Sequence, residues 1–173
     1  AGKVTGWVGA VGGSTGGAHA LWVAATGTLA DTKVNAAAML SGAYEFDDQA
    51  SLHNTMLLGC DMVLSRFIYD QTAYCQTSVG KPNLASLHAG SPIYQVKSDV
   101  SPLDIIATTL DPITPTQIGD LVGQLQMVGA TNYVSNELHG CEHSYYYWGL
   151  PYEGTNPPET AISQLIHFFL GSF

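Results

Sequence analysis

Positive charge is scarce in this sequence. Lys and Arg together number 5 against 14 Asp and Glu, a formal net charge of −9, and only 11% of the residues are charged. A surface with this balance repels phosphate backbones and anionic membranes, which excludes nucleic acid and anionic lipid as partners. The composition favours a small neutral substrate instead.

Long apolar runs, internal repeats and low-complexity segments are also missing. No run approaches the roughly 18 apolar residues that a membrane-spanning helix needs, and the first residues show no basic region followed by an apolar stretch and a cleavage site. The 173 residues are 46% hydrophobic, which supplies one domain with a substantial core. We therefore expect a single domain over residues 1–173.

Cysteine is rare. Cys60, Cys75 and Cys141 match neither a zinc-binding pattern nor a dense disulfide framework. Cys60 and Cys75 lie in one polar, loop-like segment at a spacing that permits a local disulfide, and two small buried thiols are the alternative. A bridge, few charges and many Ser, Thr and Gly residues favour an exported protein, secreted or periplasmic. Cys141 is then a lone thiol.

The most informative stretch lies near the start of the chain. Residues 4–11 form an apolar run with β-branched and aromatic side chains, which predicts a strand. A glycine-rich turn, Gly12-x-Ser14-x-Gly16, follows it. Apolar residues then recur at helical spacing, at Ala18, Leu21, Trp22 and Ala25. The stretch therefore predicts strand, tight turn and helix, with Trp7 and Trp22 in the core.

Such a turn can carry a nucleophile. A serine between strand and helix is held in a strained backbone conformation, so that the Ser14 hydroxyl projects from the edge of the sheet. The amide of Thr15 opens the helix and can stabilise a negative oxygen there, as half of an oxyanion hole. An ordinary glycine-rich turn is the alternative. The glycine spacing excludes a dinucleotide fingerprint, and no Lys follows to make a phosphate-binding loop.

The remaining apolar runs predict that strands and helices alternate. Strands are expected over residues 34–42, 102–110 and 132–138, and helices over residues 115–129 and beyond Asn156. Thr114 and Gln117 match a capping box at the first of these helices. The last helix has Glu159 in its first turn and one apolar face, formed by Ile162, Leu165, Ile166, Phe169 and Leu170.

The fold class follows from this order. Strands that alternate with helices predict an α/β fold, a mostly parallel sheet flanked by helices on both sides. Residues 44–94 lose the periodicity and are predicted to form an excursion, similar to a cap or lid, over the edge that carries the active site.

Three polar residues follow separate strands at the same edge of this sheet. A serine hydroxyl needs a base to accept its proton, and the base needs a carboxylate to fix its tautomer. Ser14 follows the first strand, Asp111 the third and His143 the fourth, at the carboxyl ends where ligands bind in open α/β sheets. Glu142 is the main rival of Asp111, and His139 is the rival of His143. No metal and no organic cofactor is expected.

Several motifs together resemble one family, the α/β-hydrolases of the esterase/lipase type, from the strand before the nucleophile onward. Those motifs are Gly12-Gly13-Ser14-Thr15-Gly16-Gly17, Leu40-Ser41-Gly42-Ala43-Tyr44, Ala89-Gly90-Ser91-Pro92, Thr109-Leu110-Asp111-Pro112-Ile113-Thr114-Pro115 and Gly140-Cys141-Glu142-His143-Ser144. The order Ser, Asp, His is also that superfamily's order. The resemblance covers nearly the whole chain and implies a carboxylesterase- or lipase-like serine hydrolase that forms an acyl-enzyme.

The resemblance also implies parts that residues 1–173 do not contain. Such hydrolases carry several strands before the nucleophile, with a His-Gly-Gly-Gly type loop that completes the oxyanion hole. We therefore expect a truncated fold, completed by a missing amino-terminal half, by a partner chain or as a homodimer. Two alternative functions remain: a peptidase half of the prolyl-oligopeptidase type, and a non-catalytic remnant that acts as an association module through its open sheet edge.

Several aromatic residues follow the predicted base, His143, closely in sequence: Tyr145, Tyr146, Tyr147, Trp148 and Tyr152. Tyr145 and Trp148 are predicted to wall an acyl or aromatic pocket. An aromatic patch that covers the end of the sheet is the alternative.

Overall fold

The structure, a computed structural model, describes residues 6–27, 32–48, 84–111, 113, 116–152 and 159–172. The predicted Cys60–Cys75 bridge, the capping residues Thr114 and Asn156, and most of the predicted excursion lie outside these ranges. Cys141 is a free, exposed thiol. None of the described helices combines the length and the apolar character needed to cross a membrane.

Strands and helices alternate along the described chain. They are β1 (Gly9–Gly13), α1 (Thr15–Thr26), β2 (Ala36–Leu40), α2 (Leu84–Gly90), a 3-10 turn (Pro92–Gln95), β3 (Leu103–Thr108), α3 (Thr116–Met127), β4 (Tyr133–Leu138), a second 3-10 turn (Ser144–Tyr147), β5 (Pro151–Tyr152), β6 (Glu159–Thr160) and α4 (Ala161–Ser172).

The first four strands form one parallel sheet in the order β1-β2-β3-β4. Every residue of the central strands β2 and β3 is buried, which is why β2 is apolar throughout and β3 is apolar apart from Asp104 and Thr108. β5 and β6 form a separate antiparallel pair. The predicted α/β fold, a parallel sheet flanked by helices, is confirmed.

The two faces of the sheet pack against different helices, because successive side chains on a strand point to opposite faces. Met39 and Ile105 join Leu21 of α1 and Leu121 of α3 in the larger core cluster. On the other face, Leu40, Ile106 and Leu138 pack against Ala161 of α4. Complete burial of each such side chain contributes about 1.5–3 kcal/mol, so both layers hold the strand ends in place.

The carboxyl-terminal segment and the first tryptophan differ from the prediction. Glu159 lies in β6, paired with Tyr152 of β5, so the last helix begins only at Ala161. Two residues of its predicted buried face remain exposed, Ile166 at 49% and Leu170 at 67%. Trp7, predicted to be in the core, is 47% exposed because it precedes the edge strand β1.

A buried acid lies in the middle of the sheet. Asp104 of β3 is flanked by Ala38 and Val134 on the neighbouring strands, and it is only 2% exposed. Its Oδ1 has no hydrogen-bond partner within the described part of the chain. Burial raises the pKa of Asp104 to about 6. A desolvated carboxylate is unfavourable, so folding shifts this group towards its protonated form.

Asp104 should therefore make stability depend on pH. Because its folded pKa lies above the unfolded value of about 4, the unfolding free energy should fall as pH rises from about 4 through about 6. Asp104→Asn should remove this decline and stabilise the protein by ~3 kcal/mol at pH 7, since one pKa unit corresponds to about 1.4 kcal/mol. Urea unfolding at pH 5 and pH 7.5 measures the effect. The exposed Asp99→Asn variant is the matched control, and equal pH dependence in Asp104→Asn and the wild type would contradict the prediction.

Candidate active site

Ser14 occupies the turn between β1 and α1 in a conformation that L residues rarely adopt. Its φ is 56° and its ψ is −121°. The backbone is fixed on both sides: the Ser14 amide donates to Leu40 O at 2.8 Å, and the Ser14 carbonyl accepts from Gly17 N at 2.9 Å. The side chain makes no capping hydrogen bond to its own helix. The turn thus holds the hydroxyl at the edge of the sheet without using it to stabilise α1.

Glycines around Ser14 let strand and helix approach each other closely. A Cβ on Gly12 would overlap the main chain of Gly16, and a Cβ on Gly17 would lie 2.9 Å from the Cα of Gly42. Any larger residue at either position would push α1 away from β1 or β2. This close approach accounts for glycine at positions 12 and 17, whereas a Cβ on Gly16 would meet no other atom of the described residues.

Asp111 and His143 form a contact at the same edge of the sheet. His143 Nδ1 lies 2.9 Å from Asp111 Oδ1, with the carboxylate 1% and the imidazole 25% exposed. The Ile113 amide also donates to Oδ1, at 2.8 Å, and the Ser41 hydroxyl donates to Oδ2. An ionised carboxylate only accepts hydrogen bonds, so Nδ1 must carry the proton, which leaves Nε2 as the basic nitrogen.

The Ser14 turn packs against the loop that carries His143. The Gly13 amide donates to the Tyr145 hydroxyl at 3.0 Å. A Cβ on Gly13 would overlap the Ser144 hydroxyl, so this loop lies directly on the turn. Within the described residues, no hydrogen bond joins the Ser14 hydroxyl to His143. The structure thus shows a contact between Asp111 and His143, and a second one between the Ser14 turn and the loop that carries His143. A hydrogen bond between the Ser14 hydroxyl and His143 stays a prediction.

Glu142 and His139, the alternatives to Asp111 and His143, are placed differently from those two residues. Glu142 accepts a hydrogen bond from the Cys141 amide at 3.0 Å, so its carboxylate is engaged by its own loop. His139 is exposed one residue beyond β4. Asp111 rather than Glu142 is therefore the acid that contacts His143.

Of the predicted oxyanion and pocket residues, Thr15 adjoins Ser14, Tyr145 contacts the same turn, and Trp148 contacts Tyr145. Thr15 is the first residue of α1, where an amide has no acceptor within the helix. Tyr145 is 51% exposed, and its ring meets the Trp148 ring edge-on with 5.2 Å between centroids. Trp148 also packs against the cluster that contains Leu40 and Ile106, so part of it belongs to the core. Their roles in oxyanion and substrate binding stay predictions.

Backbone strain is concentrated around this site. Three non-glycine residues with positive φ occur among the described ones, Ser14, Ser41 and Ser144, at 56°, 53° and 59°. Such strain persists only where the surrounding structure enforces it, and it clusters at functional sites. The sequence motif predicts a strained backbone at Ser14 but does not predict one at Ser41 or Ser144. A signal was available for Ser41, which follows the buried strand β2 directly, as Ser14 follows β1.

No candidate metal site emerges from the residues that can be described: nowhere do three or more His, Cys, Asp or Glu side chains form a group that could hold an ion. The groups that the site offers for chemistry are the side chains and amides named above.

Several solved structures are similar to this chain in fold. The chain is similar to an acylaminoacyl peptidase in complex with Z-Gly-Gly-Phe-chloromethyl ketone, with a TM-score of 0.56, 16% identity, and 80% of this chain and 20% of that chain covered. It is similar to Pyrococcus horikoshii acylaminoacyl peptidase in an orthorhombic crystal form, with a TM-score of 0.51, 16% identity and the same coverages. A truncated carbohydrate esterase from gut microbiota gives a TM-score of 0.51 and 18% identity, with 76% and 51% covered.

These similarities show that the chain has an α/β-hydrolase fold, as the motif resemblance implied. It spans about a fifth of the length of the peptidases and about half that of the carbohydrate esterase. No protein-family model and no curated protein matches the sequence.

Proposed function

We propose that this chain carries the catalytic residues of a serine hydrolase that cleaves carboxylic esters. The observation that carries the proposal is the 2.9 Å contact between His143 Nδ1 and Asp111, formed beside the strained turn that presents Ser14. Similarity to esterases and peptidases of the α/β-hydrolase fold supports a hydrolase at the level of the superfamily.

The geometry suggests a role for each group. Ser14 Oγ attacks the ester carbonyl while His143 Nε2 accepts its proton, and Asp111 stabilises the resulting imidazolium. The Thr15 amide donates to the oxyanion. The intermediate collapses to an acyl-enzyme on Ser14 as His143 returns the proton to the leaving alcohol. Water, deprotonated by His143, then attacks the acyl group, and the acid is released as Ser14 regains its proton.

The surroundings of Ser14 favour a neutral, partly apolar substrate. Tyr145 stands half exposed against the turn and offers an aromatic wall beside the attacked carbonyl. The formal net charge of −9 disfavours anionic substrates. We therefore infer a small neutral ester, with Tyr145 and Trp148 lining the acyl or alcohol side.

Covalent labelling tests the proposal most directly. A fluorophosphonate probe reacts with an activated serine, so the full chain should become labelled on the peptide that contains Ser14, as mapped by mass spectrometry. Heat-denatured chain is the control and should remain unlabelled. A native chain that stays unlabelled, or a label that maps to another serine, would contradict the proposal.

A peptidase is the second candidate, because the similarity with the TM-score of 0.56 is to an acylaminoacyl peptidase. The same residues would then cleave an amide instead of an ester. Rates on a short-chain ester and on a blocked amino-acid amide of the same acyl group distinguish the two. Faster turnover of the amide would favour the peptidase.

A non-catalytic association module is the third candidate. β1 is an edge strand of the described sheet, and Val8 and Val11 beside that edge are 50% and 49% exposed. An open strand edge can pair with a strand of another chain, which would give a homodimer or dock a separate polypeptide. A stable dimer in sedimentation, together with no labelling by the probe, would favour this candidate over both hydrolases.

A further inference from the structure

Ser41 lies where two parts of the candidate site meet. It follows β2 directly, is 2% exposed, and its amide donates to Ile106 O at 2.8 Å, which extends the pairing of β2 with β3. At this position its side chain lies between the end of β3, from which Asp111 comes, and the loop of His143. Ser41 makes contact with both.

The Ser41 hydroxyl makes two hydrogen bonds to described residues, and both have fixed directions. It donates to Asp111 Oδ2, and it accepts from the Ser144 amide at 2.9 Å. An ionised carboxylate can only accept and an amide N–H can only donate, so the hydroxyl cannot exchange these roles. One side chain therefore connects the acid of the pair to the main chain that follows His143.

We propose that Ser41 is a positioning residue for the Asp111–His143 pair. Asp111 Oδ1 accepts from His143 and Ile113, whereas Ser41 is the donor to Oδ2. Without the hydroxyl, the carboxylate is free to rotate away from Nδ1, and the loop after His143 loses its tie to it. This inference rests on the proposed function, since the pair needs fixed geometry only if His143 acts as a base.

The backbone of Ser41 supports this role. Its φ of 53° is unfavourable for any residue with a Cβ, and Gly42 follows immediately. Glycine at position 41 would remove the strain but would also remove the hydroxyl. The strained serine is thus accounted for by the two hydrogen bonds that only its side chain makes.

Nitrogen NMR of the full chain with ¹⁵N-labelled histidine tests the proposal. In the wild type the neutral His143 ring should carry its proton on Nδ1. In Ser41→Ala and Ser41→Gly we expect a mixture of the two tautomers, with kcat for a short-chain ester lowered about 10- to 100-fold. KM should change less than about twofold, because Ser41 is buried and does not reach substrate.

Two comparisons separate positioning from a general loss of structure. Ser41→Gly relieves the strained φ, so it should melt no lower than Ser41→Ala and still show the tautomer change. Ser101→Ala removes another buried hydroxyl, one that donates to Val34 O at 2.6 Å near the amino ends of β2 and β3, and should leave the His143 signals unchanged.

Each result decides the proposal. A folded Ser41→Gly variant with wild-type His143 tautomer and wild-type kcat would overturn it. If the wild type hydrolyses neither ester nor amide, the proposed function fails, but a tautomer change in both Ser41 variants would still support the positioning role.

Discussion

Replacing Ser14 with alanine is expected to lower kcat for a short-chain activated ester by about 10⁶-fold, with KM changed little. The nucleophile would be lost while the turn, the Asp111–His143 pair and the Thr15 amide all stay in place. Background hydrolysis assisted by those groups sets the residual rate. Initial rates over a range of ester concentrations give kcat and KM separately.

The same variant must be shown to be folded. Ser14→Ala keeps the strained φ of 56°, so its melting temperature should match the wild type, whereas Ser14→Gly should melt higher because glycine accepts that conformation. Ser101→Ala serves as a control with full activity. A Ser14→Ala protein that retains more than about a hundredth of the wild-type rate would show that another residue attacks the ester.

The architecture of the sheet could be predicted because local patterns determine it. β2 and β3 are buried on both faces and are therefore mostly apolar, and α1 and α3 bury apolar residues at helical spacing. The rule that parallel strands bring their carboxyl ends to one edge then predicted that Asp111 and His143 would meet, as they do in the structure.

Contacts between distant segments could not be predicted in this way. Gln117 was assigned to a capping box, but its buried side chain also accepts from the Tyr44 and Glu45 amides, at 2.6 and 2.8 Å. These pairs are 73 and 72 residues apart in sequence. Ser41 was missed for the same reason, because its partners Asp111 and Ser144 are 70 and 103 residues away. The hydrogen bonds of a polar residue that follows a strand can be identified only when the positions of its sequence-distant partners are known.

Helical periodicity also predicted more burial for α4 than the structure shows. Phe169 of the apolar face packs against β1, since its ring would lie 2.7 Å from a Cβ on Gly9. Ile166 and Leu170 remain largely exposed, as does Val11 of the edge strand β1. Periodicity identifies which side of a helix is apolar, but the extent of its burial depends on how much sheet lies beneath it.

Asp111→Asn is expected to lower kcat by about 10³- to 10⁴-fold with little change in KM. The asparagine side chain would not reproduce an acceptor-only carboxylate. If its amide group faces His143, Nδ1 must become the acceptor and the proton moves to Nε2, which can then no longer accept a proton from Ser14. The loss would therefore come from the wrong tautomer, with the overall fold retained.

Glu142→Gln is the matched control for this substitution, because Glu142 is the acid next to His143 in sequence. Its carboxylate accepts from the Cys141 amide and not from His143, so we expect kcat within about threefold of the wild type. Kinetics of both variants, with melting curves to confirm folding, discriminate between the two acids. A folded Asp111→Asn protein with near wild-type kcat, or a Glu142→Gln protein with the larger loss, would mean that the contact seen between Asp111 and His143 does not support catalysis.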